Sequence, residues 1–216
     1  MVILEVLIKI KTSNISNIFT SIILKLLRKT TADFVIDNLD SDLQGEFKTI
    51  FKNVSIQVYQ TKHVPGLLRA SVTYSDSIKL RLDKNFAGKF RSENINNIHE
   101  LRLELLTQIE HEITHIIQHY KFPESKWYMK SYDNLNNPSD KYFNKYKTDY
   151  TEIEAHARQI IKLAKDYKLP IYTAIDYYNG VFIIDWKLLY KKLYRLDAFD
   201  TQYWKEFPGE IIFENN

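Results

Sequence analysis

The sequence predicts an α+β fold: a small antiparallel sheet packed on one long helix and on a second, glutamate-bearing helix, with additional N- and C-terminal helices. Three patterns predict it. Residues 54–83 alternate apolar and polar side chains between turn signals. Residues 94–122 repeat apolar positions at helical spacing, and residues 150–167 do so again after a polar stretch.

Taken in order, residues 2–10 alternate loosely and suit either a strand or the opening of a helix. Over residues 14–29, Ile15, Ile18, Ile22, Ile23, Leu26 and Leu27 keep helical spacing, and Arg28–Lys29 supply the positive charge a helix C-terminus favours. Residues 33–51 read as a loop and a short amphipathic helix. Val54–Tyr59 is a strand by its strict alternation. After a Pro65–Gly66 turn, Leu68–Tyr74 and Ser77–Leu82 are two more, joined by Ser75–Asp76. Ser92-Glu-Asn offers caps to the long helix, whose apolar series runs from Ile98 to Ile117 and stops at Phe122–Pro123. The segment 123–149 is polar, aromatic and poorly periodic, a long surface loop whose Trp127, Tyr128, Tyr132, Tyr142, Phe143 and Tyr146 suit a lid. A second helix spans Tyr150–Tyr167 and stops before Pro170. Tyr172–Tyr178 and Trp186–Tyr194 continue the helical pattern as far as Pro208–Gly209. Without repeats or a low-complexity linker, residues 1–216 read as a single domain: an N-terminal extension (1–53), a core (54–167) and a C-terminal helical part (168–216).

Composition narrows the chemistry. Thirty Lys and Arg against 27 Asp and Glu leave a net charge of +3, too small an excess to make nucleic acid or an anionic membrane the main partner. The absence of cysteine removes disulfide scaffolds, thiolate metal sites and cysteine nucleophiles together. The first ten residues lack the layout of a signal peptide, and Ile15–Leu27 falls short of the ~20 apolar residues a bilayer span needs. The expectation is a cytoplasmic monomer, in its own cell or a host's. Abundant Tyr, Asn, Ile and Lys with only five Gly fit an AT-rich coding genome, in keeping with a viral or phage-like source.

Within the long helix lies His111-Glu112-Ile113-Thr114-His115. Residues four apart on a helix sit one turn above each other, so two imidazoles there can grip one Zn²⁺ at about 2.0–2.1 Å. The intervening Glu112 then lies beside the ion, where it can take a proton from water and hand it to a leaving amine. The competing reading is a solvated face. The apolar stripe centres on Ile109, Ile113 and Ile116, and His111 and His115 lie opposite it with Glu104, Gln108 and Gln118. His119 cannot join the same ion, because eight residues place it about 12 Å from His111 along the axis. Catalytic zinc takes three protein ligands, so the third must come from elsewhere. The next helix offers Glu152 and Glu154 in Thr151-Glu-Ile-Glu-Ala-His-Ala157; dipole complementation in a first helical turn explains one of them and leaves the other free.

A sheet, a helix with H-E-x-x-H and a helix with a glutamate followed by small residues together resemble the gluzincin branch of the zincin metallopeptidases. The resemblance covers residues 54–165. It implies zinc as the cofactor, His111 and His115 as ligands and Glu112 as the general base. Glu152-Ile-Glu-Ala-His156 is similar to an E-x-E-A pattern whose first Glu binds zinc, which favours Glu152; Glu154-Ala-His-Ala157 fits a second gluzincin pattern and makes Glu154 the competing choice. His156 stands where the first pattern has Asp or Asn, and so either orients a ligand or contacts substrate. Related sites often carry a Tyr or His that stabilises the oxyanion, for which Tyr146, Tyr150 and His156 are nearest the second motif. The family also implies an edge strand before the active helix that takes an extended peptide as an added strand, with Ser71–Asp76 and Ser77–Leu82 as candidates. The activity so implied is hydrolysis of peptide bonds in a peptide or protein substrate. The alternative is a catalytically weak or inactive zincin-fold module that binds metal or a protein partner.

Overall fold

Apolar residues at every second position build the sheet. Strand β2 (Ile56–Thr61) turns Ile56 and Val58 inward, and β4 (Ile78–Asp83) turns in Ile78, Leu80 and Leu82. The two strands run parallel, with Ile56 beside Ile78 and Val58 beside Leu80, so the most apolar faces lie in the middle of the sheet. Strand β1 (Phe34–Ile36) pairs antiparallel with β2, and β3 (Leu68–Val72) antiparallel with β4, giving the order β1-β2-β4-β3.

The sheet is therefore mixed, a correction to the antiparallel arrangement expected from sequence. Strand β3 lies outside β4 instead of between β4 and β2. Residues 62–77, which include β3, are long enough to make the crossover that parallel neighbours require. The same order corrects one of the two candidate edges. Ser77–Leu82 coincides largely with β4, which has a neighbour on both sides; of the other candidate, Ser71 and Val72 end the edge strand β3 and residues 73–76 lie outside the described residues.

The computed structural model describes residues 2–43, 45–62, 68–72, 77–91, 95–121, 147–180, 184–196 and 198, in two compact units, Met1–Lys145 and Tyr146–Asn216. In the first unit, α1 (Val2–Leu27) is one continuous helix that includes residues 2–10, and Ile15, Phe19, Ile23 and Leu27 bury one face of it at four-residue intervals. A short 3₁₀ turn (Leu39–Asp42) and α2 (Glu46–Ile50) follow β1. Helix α3 (Lys84–Arg91) follows β4 directly and was not foreseen. Helix α4 (Ile95–Lys121) takes α1, α3 and β3 against its flanks, and Leu101, Leu105, Ile109, Ile113, Ile116 and Ile117 join the sheet residues in one core. Phe19 and Phe51 meet edge to face within it, with ring centres 5.7 Å apart.

Among its described residues, the second unit is built of helices. Helix α5 (Tyr150–Tyr167) starts at Asp149, whose carboxylate accepts from the backbone N–H of Thr151 at 2.9 Å. It ends at Lys168 in the left-handed region (φ 52°), where Leu169 N–H closes onto the Ala164 carbonyl ahead of Pro170. Helices α6 (Ile171–Tyr178) and α7 (Trp186–Arg195) both pack on α5. Among the described residues, no helix is long and apolar enough to cross a membrane. The six aromatic residues proposed as a lid, the Ser92-Glu-Asn cap and the Pro65–Gly66, Ser75–Asp76 and Pro208–Gly209 turns lie outside the described residues.

Candidate metal centre

Helix α4 decides between the two readings of its polar face. Every residue from Ile109 to His119 is buried, and that run includes Glu110, His111, Glu112, Thr114, His115, Gln118 and His119. A solvated face would leave these side chains in water, so that reading fails. Buried polar groups are costly unless they are paired or hold an ion, which makes this stretch of helix a site and not a surface. Some of the demand is met locally: Ser16 Oγ on α1 donates to Glu110 Oε2 at 2.8 Å, and Thr114 Oγ1 donates to the Glu110 carbonyl at 2.8 Å. Of the histidines outside this stretch, His99 is exposed and His63 lies outside the described residues.

The two motif histidines converge. Their Nε2 atoms are 3.0 Å apart and their rings meet edge to face at 4.7 Å. Two ligands each about 2.0–2.1 Å from a tetrahedral ion lie about 3.4 Å from one another, so the pair is already close to ligand spacing. On the far side of the His115 ring, Nδ1 faces Gln118 Oε1 at 2.9 Å. His119 stacks on His115 with ring centres 6.4 Å apart and does not belong to the metal-competent group.

Of the two glutamates offered by α5, Glu152 completes the group. One ligand atom each from His111, His115 and Glu152 lies within 4.8 Å of the other two, and all three side chains are buried. Glu154 is occupied elsewhere. Its carboxylate accepts from Arg158 Nη2 at 2.8 Å and Nε at 3.1 Å, and meets Lys192 Nζ of α7 at 3.2 Å. Burial alone would push the Glu154 carboxyl up, but Arg158 and Lys192 outweigh it and hold the group below the ordinary glutamate value. Two residues along a helix turn a side chain through about 200°, so Glu152 and Glu154 leave α5 on opposite sides.

His156 lies one turn beyond Glu152 on the same side of α5. It is buried, with Nδ1 3.3 Å from Gln159 Oε1. Tyr150 shares the side of Glu154 and is 70% exposed. Glu112 is buried between the two histidine positions. Tyr146 lies outside the described residues. Sequence reasoning missed the supporting residues. A glutamine stands three places after His115 and again after His156, a spacing that puts it on the same helical face and could have flagged both.

The described residues thus hold a buried His–His–Glu group of the donor types and spacing a metal ion accepts. Comparison with protein-family models, with curated proteins and with solved structures returns no match.

Proposed function

We propose that the protein is a zinc-dependent peptidase in which His111, His115 and Glu152 hold the ion and Glu112 is the general base. The observation that carries this reading is the buried triad with Glu112, itself buried, between its two imidazoles in sequence. Two imidazoles and one carboxylate are a donor set typical of catalytic zinc, with a fourth position left for water or substrate. When bound, the ion supplies Lewis acidity, lowering the pKa of water from 15.7 to about 7.

The chain's own residues account for the remaining steps. Glu112 accepts a proton from water as the oxygen attacks the scissile carbonyl, and returns it to the amine nitrogen as the C–N bond breaks. His156, on the Glu152 side of α5, is assigned to orienting a ligand or contacting substrate; of the two oxyanion candidates it is also the better placed, since Tyr150 leaves the helix on the Glu154 side. Strand β3 offers an edge to an extended peptide or protein chain. The reading takes the protein to act as a monomer, without nucleic acid or membrane as a partner.

The test is elemental analysis of protein purified without added metal, together with cleavage of a peptide library. One zinc per chain, and cleavage that Glu112→Gln abolishes, is the expected result. Absence of zinc defeats the reading. Stoichiometric zinc without cleavage would leave the metal-binding module in its place.

A further inference from the structure

Gln118 has no part in the chemistry described so far, yet its side chain is buried beside the metal-competent group. We infer that Gln118 is a positioning residue that sets the tautomer of His115. The inference deepens the zinc reading and rests on it for its consequence. Gln118 Oε1 faces His115 Nδ1 at 2.9 Å, and because an amide oxygen only accepts, this contact assigns the proton to Nδ1. A neutral imidazole carries one N–H, so Nε2 keeps its lone pair. That atom is the one 3.0 Å from His111 Nε2.

The spacing makes the arrangement rigid. Gln118 follows His115 by three residues on a single helix, so no loop motion can separate them. The amide is the contact that fixes His115, for the His119 ring is further off, its centre 6.4 Å from that of His115. Without the amide, the ring would exchange tautomers and flip, and only part of its population would offer Nε2 to an ion. Partners of this kind typically change metal affinity by about 10- to 100-fold.

The experiment pairs two measurements on the full chain. Imidazole ¹H–¹⁵N spectra of metal-free protein report the tautomer directly, and competition with a chromophoric chelator reports zinc affinity. His115 is expected as the Nδ1–H tautomer in the wild type. Gln118→Leu is expected to lose that preference and to bind zinc about 10- to 100-fold more weakly. Gln118→Glu, which still accepts from Nδ1, is expected to restore both. A wild-type His115 with its proton on Nε2 overturns the inference even if Gln118→Leu fails to fold. So does a folded Gln118→Leu that binds zinc as the wild type does. Failure of the zinc reading has a separate signature, because there the wild type binds no zinc at all.

Discussion

Ser16 on α1 and Glu110 on α4 are 94 residues apart in sequence and share a hydrogen bond of 2.8 Å, both of them buried. Glu110 immediately precedes His111, so this bond anchors the start of the motif to the N-terminal helix. Removing the hydroxyl takes a donor from a carboxylate that water cannot reach. Ser16→Ala is expected to cost about 1–3 kcal/mol of stability, read from urea midpoints at unchanged slope. A loss within error of zero would show that the bond is dispensable.

Metal binding should stabilise the fold. At zinc a hundredfold above its dissociation constant, mass action adds about 2.7 kcal/mol. Calorimetry with and without a chelator is expected to show a rise in Tm for the wild type and none for His111→Ala or His115→Ala. Equal shifts in all three proteins would place the ion elsewhere.

Glu112→Gln separates binding from chemistry. The amide keeps the volume of the acid but cannot take a proton, so zinc content and Tm are expected to match the wild type. Peptide cleavage should fall by about 10²–10⁴-fold, the usual worth of a positioned acid–base group. Full activity in this variant would remove Glu112 from the mechanism.

The Glu154 carboxyl, held down by Arg158 and Lys192, ties stability to pH. With its folded pKa below the ordinary 4.5, its contribution is fully present above that value and lost as pH falls through the folded one. The stability gap between wild type and Glu154→Gln, measured in chelator, should be constant near neutrality and change as pH drops below about 4.5. Subtracting the variant cancels the titration of the other buried carboxylates. A gap that does not vary with pH would show that the ion pairs contribute nothing.

In the core of the first unit, Phe51→Ala removes a fully buried ring that meets Phe19 edge to face. The expected cost is about 3–5 kcal/mol, measured by denaturant unfolding. A cost under about 1 kcal/mol would mean that the site collapses around the gap.

Much of the site was legible in the sequence, because a helix converts spacing into proximity. The i, i+4 histidines, the α5 boundaries and the Glu152–His156 side of that helix follow from the 3.6-residue turn. What stayed hidden depends on neighbours that local pattern does not encode. Alternation at Ile56 and Val58 tells which face is buried but not that β4 is the neighbour, so the parallel pairing was missed. Strand β1 has only three residues and shows no period. The periodicity of α4 located Ile109 and Ile113 inside, yet it says nothing about whether the opposite face meets water. Glu152 and Glu154 lie in one helical turn, and their roles part where Arg158, one turn on, and Lys192, 38 positions beyond Glu154, come against Glu154.

The unbroken enclosure of Ile109–His119 has a consequence for motion. Helical segments without a solvent-facing side lose their amide protons to deuterium only when the surrounding fold opens. The amides of the segment bearing both imidazoles should therefore be among those that exchange most slowly.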